Sequence, residues 1–142
     1  MKIRKAGFTP VVDEHTRLLI LGSLPGDASL RAGQYYGHPR NAFWRLVSGV
    51  IGRDLGALPY DERLAALQAA GIGLWDVVAS AERPGSLDAA IRRPETADLK
   101  ELVARLPALR AVAFNGGTAA RLGRAVLAGT TGVALIDLPS SS

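Results

Sequence analysis

An α/β layered domain is expected from three features of this 142-residue chain. Short apolar runs that read as strands alternate with stretches of helical periodicity. The runs are continuous rather than alternating apolar and polar, which suits a parallel sheet covered on both faces. The composition, 48% hydrophobic and 21% charged, is globular rather than disordered.

Taken in order, Arg17-Leu18-Leu19-Ile20-Leu21 is a buried strand closed by Gly22. Asn41 to Ile51 is an amphipathic helix: Phe43, Leu46, Val47, Val50 and Ile51 fall at i, i+3, i+4, i+7 and i+8, and Asn41 suits the N-cap. Asp61 to Ala70 is a second helix, with Leu64 and Leu67 inward and Gly71 ending it. Leu74-Trp75-Asp76-Val77-Val78 is the next strand, and Ala79 to Pro94 has the Pro and Gly content of a loop. Ala97 to Leu106 repeats the helical pattern before Pro107. Ala111 to Phe114 is a strand, Asn115-Gly116-Gly117 turns into a helix from Thr118 to Leu127, and Gly132 to Leu138 holds the last strand. The chain then stops at Pro139-Ser140-Ser141-Ser142, which reads as a domain cut short.

Several function classes drop out. Without cysteine there is no disulfide scaffold, thiol nucleophile, iron–sulfur cluster or thiolate zinc site. Two histidines, His15 and His38, do not make a multi-histidine metal centre. No run approaches the roughly 18 apolar residues of a membrane span, and the basic start Met1-Lys2-Ile3-Arg4-Lys5 lacks the apolar stretch of a secretory signal. The formal charge is +4, and fourteen of the seventeen basic residues are Arg. That balance suits a polyanionic partner, although Arg richness is also what coding bias leaves.

In a parallel sheet, ligands bind at the carboxyl ends of the strands. Three segments qualify: Gly22 to Gly26, Asn115 to Gly117, and Leu138 to Ser142. Leu21-Gly22-Ser23-Leu24-Pro25-Gly26 is a tight turn with exposed backbone; it is neither a Walker loop nor a dinucleotide fingerprint, and alone it reads as an ordinary strand-to-helix turn. Gln34-Tyr35-Tyr36-Gly37-His38-Pro39-Arg40-Asn41-Ala42-Phe43-Trp44 gathers four aromatics, a His, an Arg and an Asn. Aromatics beside Arg in a loop suit stacking on nucleobases with phosphate contact. Each residue also has a plain reading: Phe43 in the core, Trp44 at its edge, His38 in a structural hydrogen bond, Asn41 as a cap.

Together the two segments resemble the first motif of the uracil-DNA glycosylase superfamily, and most closely its hypoxanthine-DNA (DNA-deoxyinosine) glycosylase branch. Leu138-Pro139-Ser140-Ser141-Ser142 resembles the start of the second motif. The resemblance implies a single glycosylase-like domain over residues 1–142, truncated after the second motif, with a three-layer α/β/α sandwich around a four-stranded parallel sheet. It implies hydrolysis of the N-glycosidic bond of a deaminated base, hypoxanthine or uracil, flipped out of DNA, leaving an abasic site. Leu24 stands where other branches carry a water-positioning Asp or Asn, and Leu138 where several carry a His. In the branch the chain most closely resembles, the catalytic role belongs to the Asn of the His-Pro-Arg-Asn run, so the resemblance implies Asn41 as the residue that would hold a water under the sugar carbon. Phe43 would stack on the base, Asn115 would read its edge, and Ser23, Leu24, Pro25, Gly26 and Tyr36 would line its pocket. Arg40, Ser140, Ser141 and Ser142 would meet the DNA backbone, the serines being equally readable as a frayed end.

Asp27 is the only acid expected near the turn, and its plain reading is a solvated helix start. Lys2, Lys5 and Lys100 are expected away from the motifs, so no Schiff-base step is foreseen. Arg92 and Arg93 read as a solvated loop. No cofactor or metal is expected, the partner is DNA, and a cytoplasmic monomer is anticipated. Three other readings remain open: a uracil- or mismatch-preferring glycosylase, a non-catalytic domain binding a nucleotide or phosphate, and an inactive relative that binds DNA.

Overall fold

The computed structural model describes residues 4–142, so Met1, Lys2 and Ile3 of the basic start lie outside the described residues. Its centre is a parallel sheet of four strands in the order β3-β2-β6-β7: β2 (Leu18–Gly22), β3 (Ile72–Asp76), β6 (Ala111–Asn115) and β7 (Ala134–Leu138). Leu18 of β2 sits opposite both Ile72 and Ala111, so β2 is flanked on both sides.

Side chains alternate across a strand, and this sorts the core into two layers. Leu19 and Leu21 point to one face with Val112 and Phe114, and are covered by α4 (Leu99–Ala104) and α5 (Gly117–Val126). Ile20, Ile72 and Leu74 point to the other face. There they meet Phe43, Trp44 and Val47 of α2 (Phe43–Ile51) and Leu67 of α3 (Tyr60–Ala69). This is the three-layer α/β/α sandwich around a parallel sheet. On the α2 side an apolar groove runs past Leu46 and Val50 to Ile136 and Leu138 of β7.

The structure differs from the sequence expectation in three places. The segment expected as a loop, residues 79–94, contains β4 (Val78–Glu82) and β5 (Arg92–Thr96). With β1 (Arg4–Ala6) these form a second, antiparallel sheet in the order β1-β4-β5. β5 reads Arg-Arg-Pro-Glu-Thr and is exposed throughout, so no apolar periodicity marks it. The strand expected over Leu74–Val78 lies two residues earlier and ends at Asp76, since the chain passes to the second sheet at Val78. Finally, α1 (Asp27–Ala32) forms directly after the glycine turn. The other elements fall within about two residues of their expected bounds.

Candidate functional site: a cavity at the carboxyl edge of the sheet

The three strand-end segments converge. Together with the loop before α2 they enclose a cavity of about 440 Å³, within the range of small-ligand sites, roughly 300–1,000 Å³. Ser23, Leu24, Pro25 and Gly26 form one wall. Tyr36, His38 and Asn41 form another, and Asn115, Ser140, Ser141 and Ser142 complete the rim. Arg40 is exposed and outside the lining.

The rim is knit by two amides and a serine. Ser141 is buried, and its backbone N–H donates to Asn115 Oδ1 at 2.9 Å while Asn115 Nδ2 donates to its Oγ at 2.9 Å. The Ser141 hydroxyl in turn donates to Asn41 Oδ1 at 2.8 Å. That oxygen also receives the Phe43 N–H at 2.9 Å, and the Ala42 N–H donates to the Ser141 carbonyl at 2.9 Å. Asn41 is therefore not the helix N-cap, a position held by Ala42; it serves the first turn from one residue further out. The backbone donors fix the orientation of both amides. The Phe43 N–H and the Ser141 hydroxyl together commit both lone pairs of Asn41 Oδ1, so a water held by that oxygen needs one of its two present partners to leave.

The aromatic expected to stack on a ligand is displaced by one ring. Phe43 is buried and outside the cavity lining, and Tyr36 lies parallel on it, with ring centroids 3.9 Å apart and an interplanar angle of 14°. Tyr36 lines the cavity instead. Its backbone is left-handed, with φ of 55°, an uncommon conformation for a residue with a bulky side chain and one that clusters at functional sites.

The floor was not foreseen. Asp76 closes β3 beside Gly22, which closes β2 in register with it. The Asp76 side chain lines the cavity, is 5% exposed, and its Oδ2 has no hydrogen-bond partner among the described residues; the Tyr36 hydroxyl is likewise buried without one among them. A Cβ at position 22 would stand 2.7 Å from Asp76 Oδ1 and 3.3 Å from Tyr36 Oη, so only glycine fits there. Burial pushes the Asp76 carboxyl up to about 7; the negative charge of Asp88 adds to the rise and Arg83 opposes it. Burial also pushes the Tyr36 phenol up.

Beneath the turn, Arg83 is buried and donates to the carbonyls of Leu24 (3.3 Å) and Pro25. It also lies 3.8 Å from Asp88, which accepts the Ser23 hydroxyl at 2.6 Å. Asp27 is thus not the only acid near the turn: Asp76 and Asp88 both line the cavity. Nor is Lys5 remote, since it pairs with Asp27 at 2.7 Å and donates to the Gly85 carbonyl, although it stays outside the cavity lining. One sequence signal could have found Asp76, a carboxylate closing an apolar strand at the edge where such sheets bind ligands. The apolar Val77 and Val78 that follow mask that strand end in the sequence.

A parallel-sheet α/β protein with a ligand-sized cavity at its strand ends, walled by a glycine turn, an aromatic ring and two amides, defines a class that binds and processes small planar groups. The model of the uracil DNA glycosylase superfamily matches residues 9–142, and the chain belongs to that superfamily. It is 50% identical over 114 residues to a hypoxanthine DNA glycosylase of Methanosarcina barkeri, covering 80% of this chain and 72% of the relative. It is 48% identical over 112 residues to a hypoxanthine DNA glycosylase of Methanosarcina acetivorans, covering 79% and 71%. A solution NMR structure of a Methanosarcina acetivorans protein, provisionally assigned as a uracil DNA glycosylase, superposes with a TM-score of 0.88 at 45% identity. The match covers 99% of this chain and 86% of that one.

Proposed function

We propose that the chain is a single-domain DNA repair glycosylase that hydrolyses the bond between deoxyribose and a deaminated base, hypoxanthine foremost, flipped out of DNA. The observation that carries this reading is the convergence of Asn41, Asn115, the Gly22–Gly26 turn and the Tyr36 ring on one cavity. The hypoxanthine DNA glycosylases it resembles support the choice of base.

Extrusion of the base costs on the order of a few kcal/mol, least for a mismatched or damaged pair. The base then lies on Tyr36, which Phe43 backs, with its polar edge toward Asn115 and the turn. Asn41 is the positioning group for water. Of the two donors on its Oδ1, the Phe43 N–H is fixed in the backbone, while the Ser141 hydroxyl can rotate. Turned toward a DNA phosphate oxygen, that hydroxyl leaves one lone pair of Asn41 to accept a hydrogen bond from water beneath the sugar carbon. The carbon–nitrogen bond breaks with its electron pair passing to the base. Water adds to the oxocarbenium-like carbon, and its proton leaves to the base or solvent. Alignment of this kind can supply several kcal/mol without a strong base. An abasic site is the product.

Arg40, Ser140 and Ser142 hold the flanking phosphates, and affinity then falls as salt rises. No described helix is long and apolar enough to cross a membrane. In this reading the enzyme works as a monomer in the cytoplasm, on DNA.

Incubation with duplexes carrying one hypoxanthine, uracil or xanthine, followed by alkaline strand scission, tests the assignment. Scission at hypoxanthine is the expected result. Intact strands from all three duplexes would overturn it.

A further inference from the structure

We propose that Asp76 reads the lactam edge of the flipped base as a neutral carboxyl, donating a hydrogen bond through one oxygen and accepting one through the other. The inference rests on the glycosylase reading and adds a base-reading residue to it.

The geometry is that of an unfinished binding site. Asp76 stands at the end of β3 on the cavity floor, where a base would present its polar edge. It is 5% exposed, and its Oδ2 meets no donor or acceptor among the described residues. A buried polar atom without a partner is costly unless something completes it, and here the open side is the cavity. The Tyr36 hydroxyl, also unpartnered, borders the same spot above Gly22. A glycine at 22 keeps that floor clear: any side chain would strike the carboxylate.

Protonation decides what the carboxyl can recognise. An ionised carboxylate only accepts hydrogen bonds, so it would repel a carbonyl oxygen. A neutral one carries a donor and an acceptor on adjacent oxygens. That pair complements the adjacent carbonyl and N–H of a lactam, which is O6 with N1–H in hypoxanthine and O4 with N3–H in uracil. The surroundings favour the neutral form. Asp88 in the short 3-10 turn 88–90 adds negative charge, Arg83 after β4 offsets part of it, and Tyr35 and Tyr36 from the loop before α2 stay neutral. The carboxyl accordingly titrates at about 7, and holds its proton through the weakly acidic range. Carboxyls kept neutral by a dry site and used as donors are an established device.

The test compares wild type, Asp76→Asn and Asp76→Ala, by single-turnover release of hypoxanthine from a deoxyinosine duplex at about pH 5 to about pH 9. Asparagine keeps a donor beside an acceptor and does not titrate. The wild-type rate should fall as pH rises through neutrality. Asp76→Asn should lose that fall and stay within severalfold of wild type in weak acid. Asp76→Ala should be slower than Asp76→Asn by at least about tenfold at every pH, the loss of one or two buried hydrogen bonds. Binding of free hypoxanthine, followed by calorimetry on the same proteins, should weaken in the same order. An Asp76→Asn protein as slow as Asp76→Ala would overturn the proposal in favour of a carboxyl that must give up its proton. Equal rates and equal base binding in all three would overturn it outright. If wild type releases no base from any modified duplex, the glycosylase reading fails instead. The calorimetry then still decides for Asp76, because base binding unchanged by Asp76→Ala refutes it alone.

Discussion

The rim and the floor of the cavity solve opposite problems. At the rim, Asn115, Ser141 and Asn41 satisfy one another in an unbroken chain of hydrogen bonds, anchored by the Phe43 and Ala42 N–H groups. On the floor, Asp76 and Tyr36 present buried polar atoms that no described residue satisfies. A closed network holds its geometry without a ligand; an open one is completed only by a ligand. On the proposed reading, the rim holds the base and the water in place while the floor reads the lactam edge.

The comparison breaks most severely where the floor loses its support. Arg83→Met would leave the Leu24 and Pro25 carbonyls without their donor and Asp88 without its neighbouring cation. Loss of about 3 kcal/mol of stability is expected, measurable by denaturant unfolding, and a melting point unchanged from wild type would show that the turn does not depend on the guanidinium. Gly22→Ala comes next. Its methyl group would meet Asp76 Oδ1 at 2.7 Å, so a cost of about 1–3 kcal/mol and loss of free-base binding by calorimetry are expected together.

A third test sharpens the contrast through pH. The folded Asp76 carboxyl titrates at about 7, above the ordinary 3.8, so the folded protein holds this proton more tightly than the unfolded chain. The associated stability is complete below about 3.8 and is lost as pH rises through about 7. Asp76→Asn has no such loss. It should match wild type in strong acid, gain on it from about pH 4 to about pH 7, and stay ahead above that. Thermal melts across pH check this, and a constant offset would show that Asp76 is not buried as a neutral group. The smallest effect belongs to the rim: Ser141→Ala removes one link, and base release should change by no more than about tenfold, a larger fall marking the serine as more than a gate.

Much of this site could be read from residues 17–26 and 34–44 before any coordinates. The apolar run closed by glycine fixed a central strand and its turn, and aromatics massed beside His, Arg and Asn marked the adjoining loop. Periodicity also placed α2 and α3, although Leu46 and Val50 of the expected α2 stripe stay exposed along the apolar groove beside β7. Other features were hidden for physical reasons. β1 and β5 belong to a small polar sheet whose strands leave no apolar trace. Which of two neighbouring rings faces a cavity depends on one left-handed residue, Tyr36, and composition does not encode that. Val77 and Val78 extend the apolar run past Asp76, so in the sequence it reads as an interior strand residue, whereas β3 ends on it. Arg83 and Asp88 lie in a segment that looks like a solvated loop, yet Arg83 is 2% exposed.

The most direct test compares Asn41→Ala with wild type in single-turnover release of hypoxanthine from a deoxyinosine duplex, with affinity for an abasic duplex measured alongside. If the Asn41 amide holds the attacking water, release should fall by at least about a hundredfold while abasic-site affinity stays within a few-fold. Release at the wild-type rate would contradict the account.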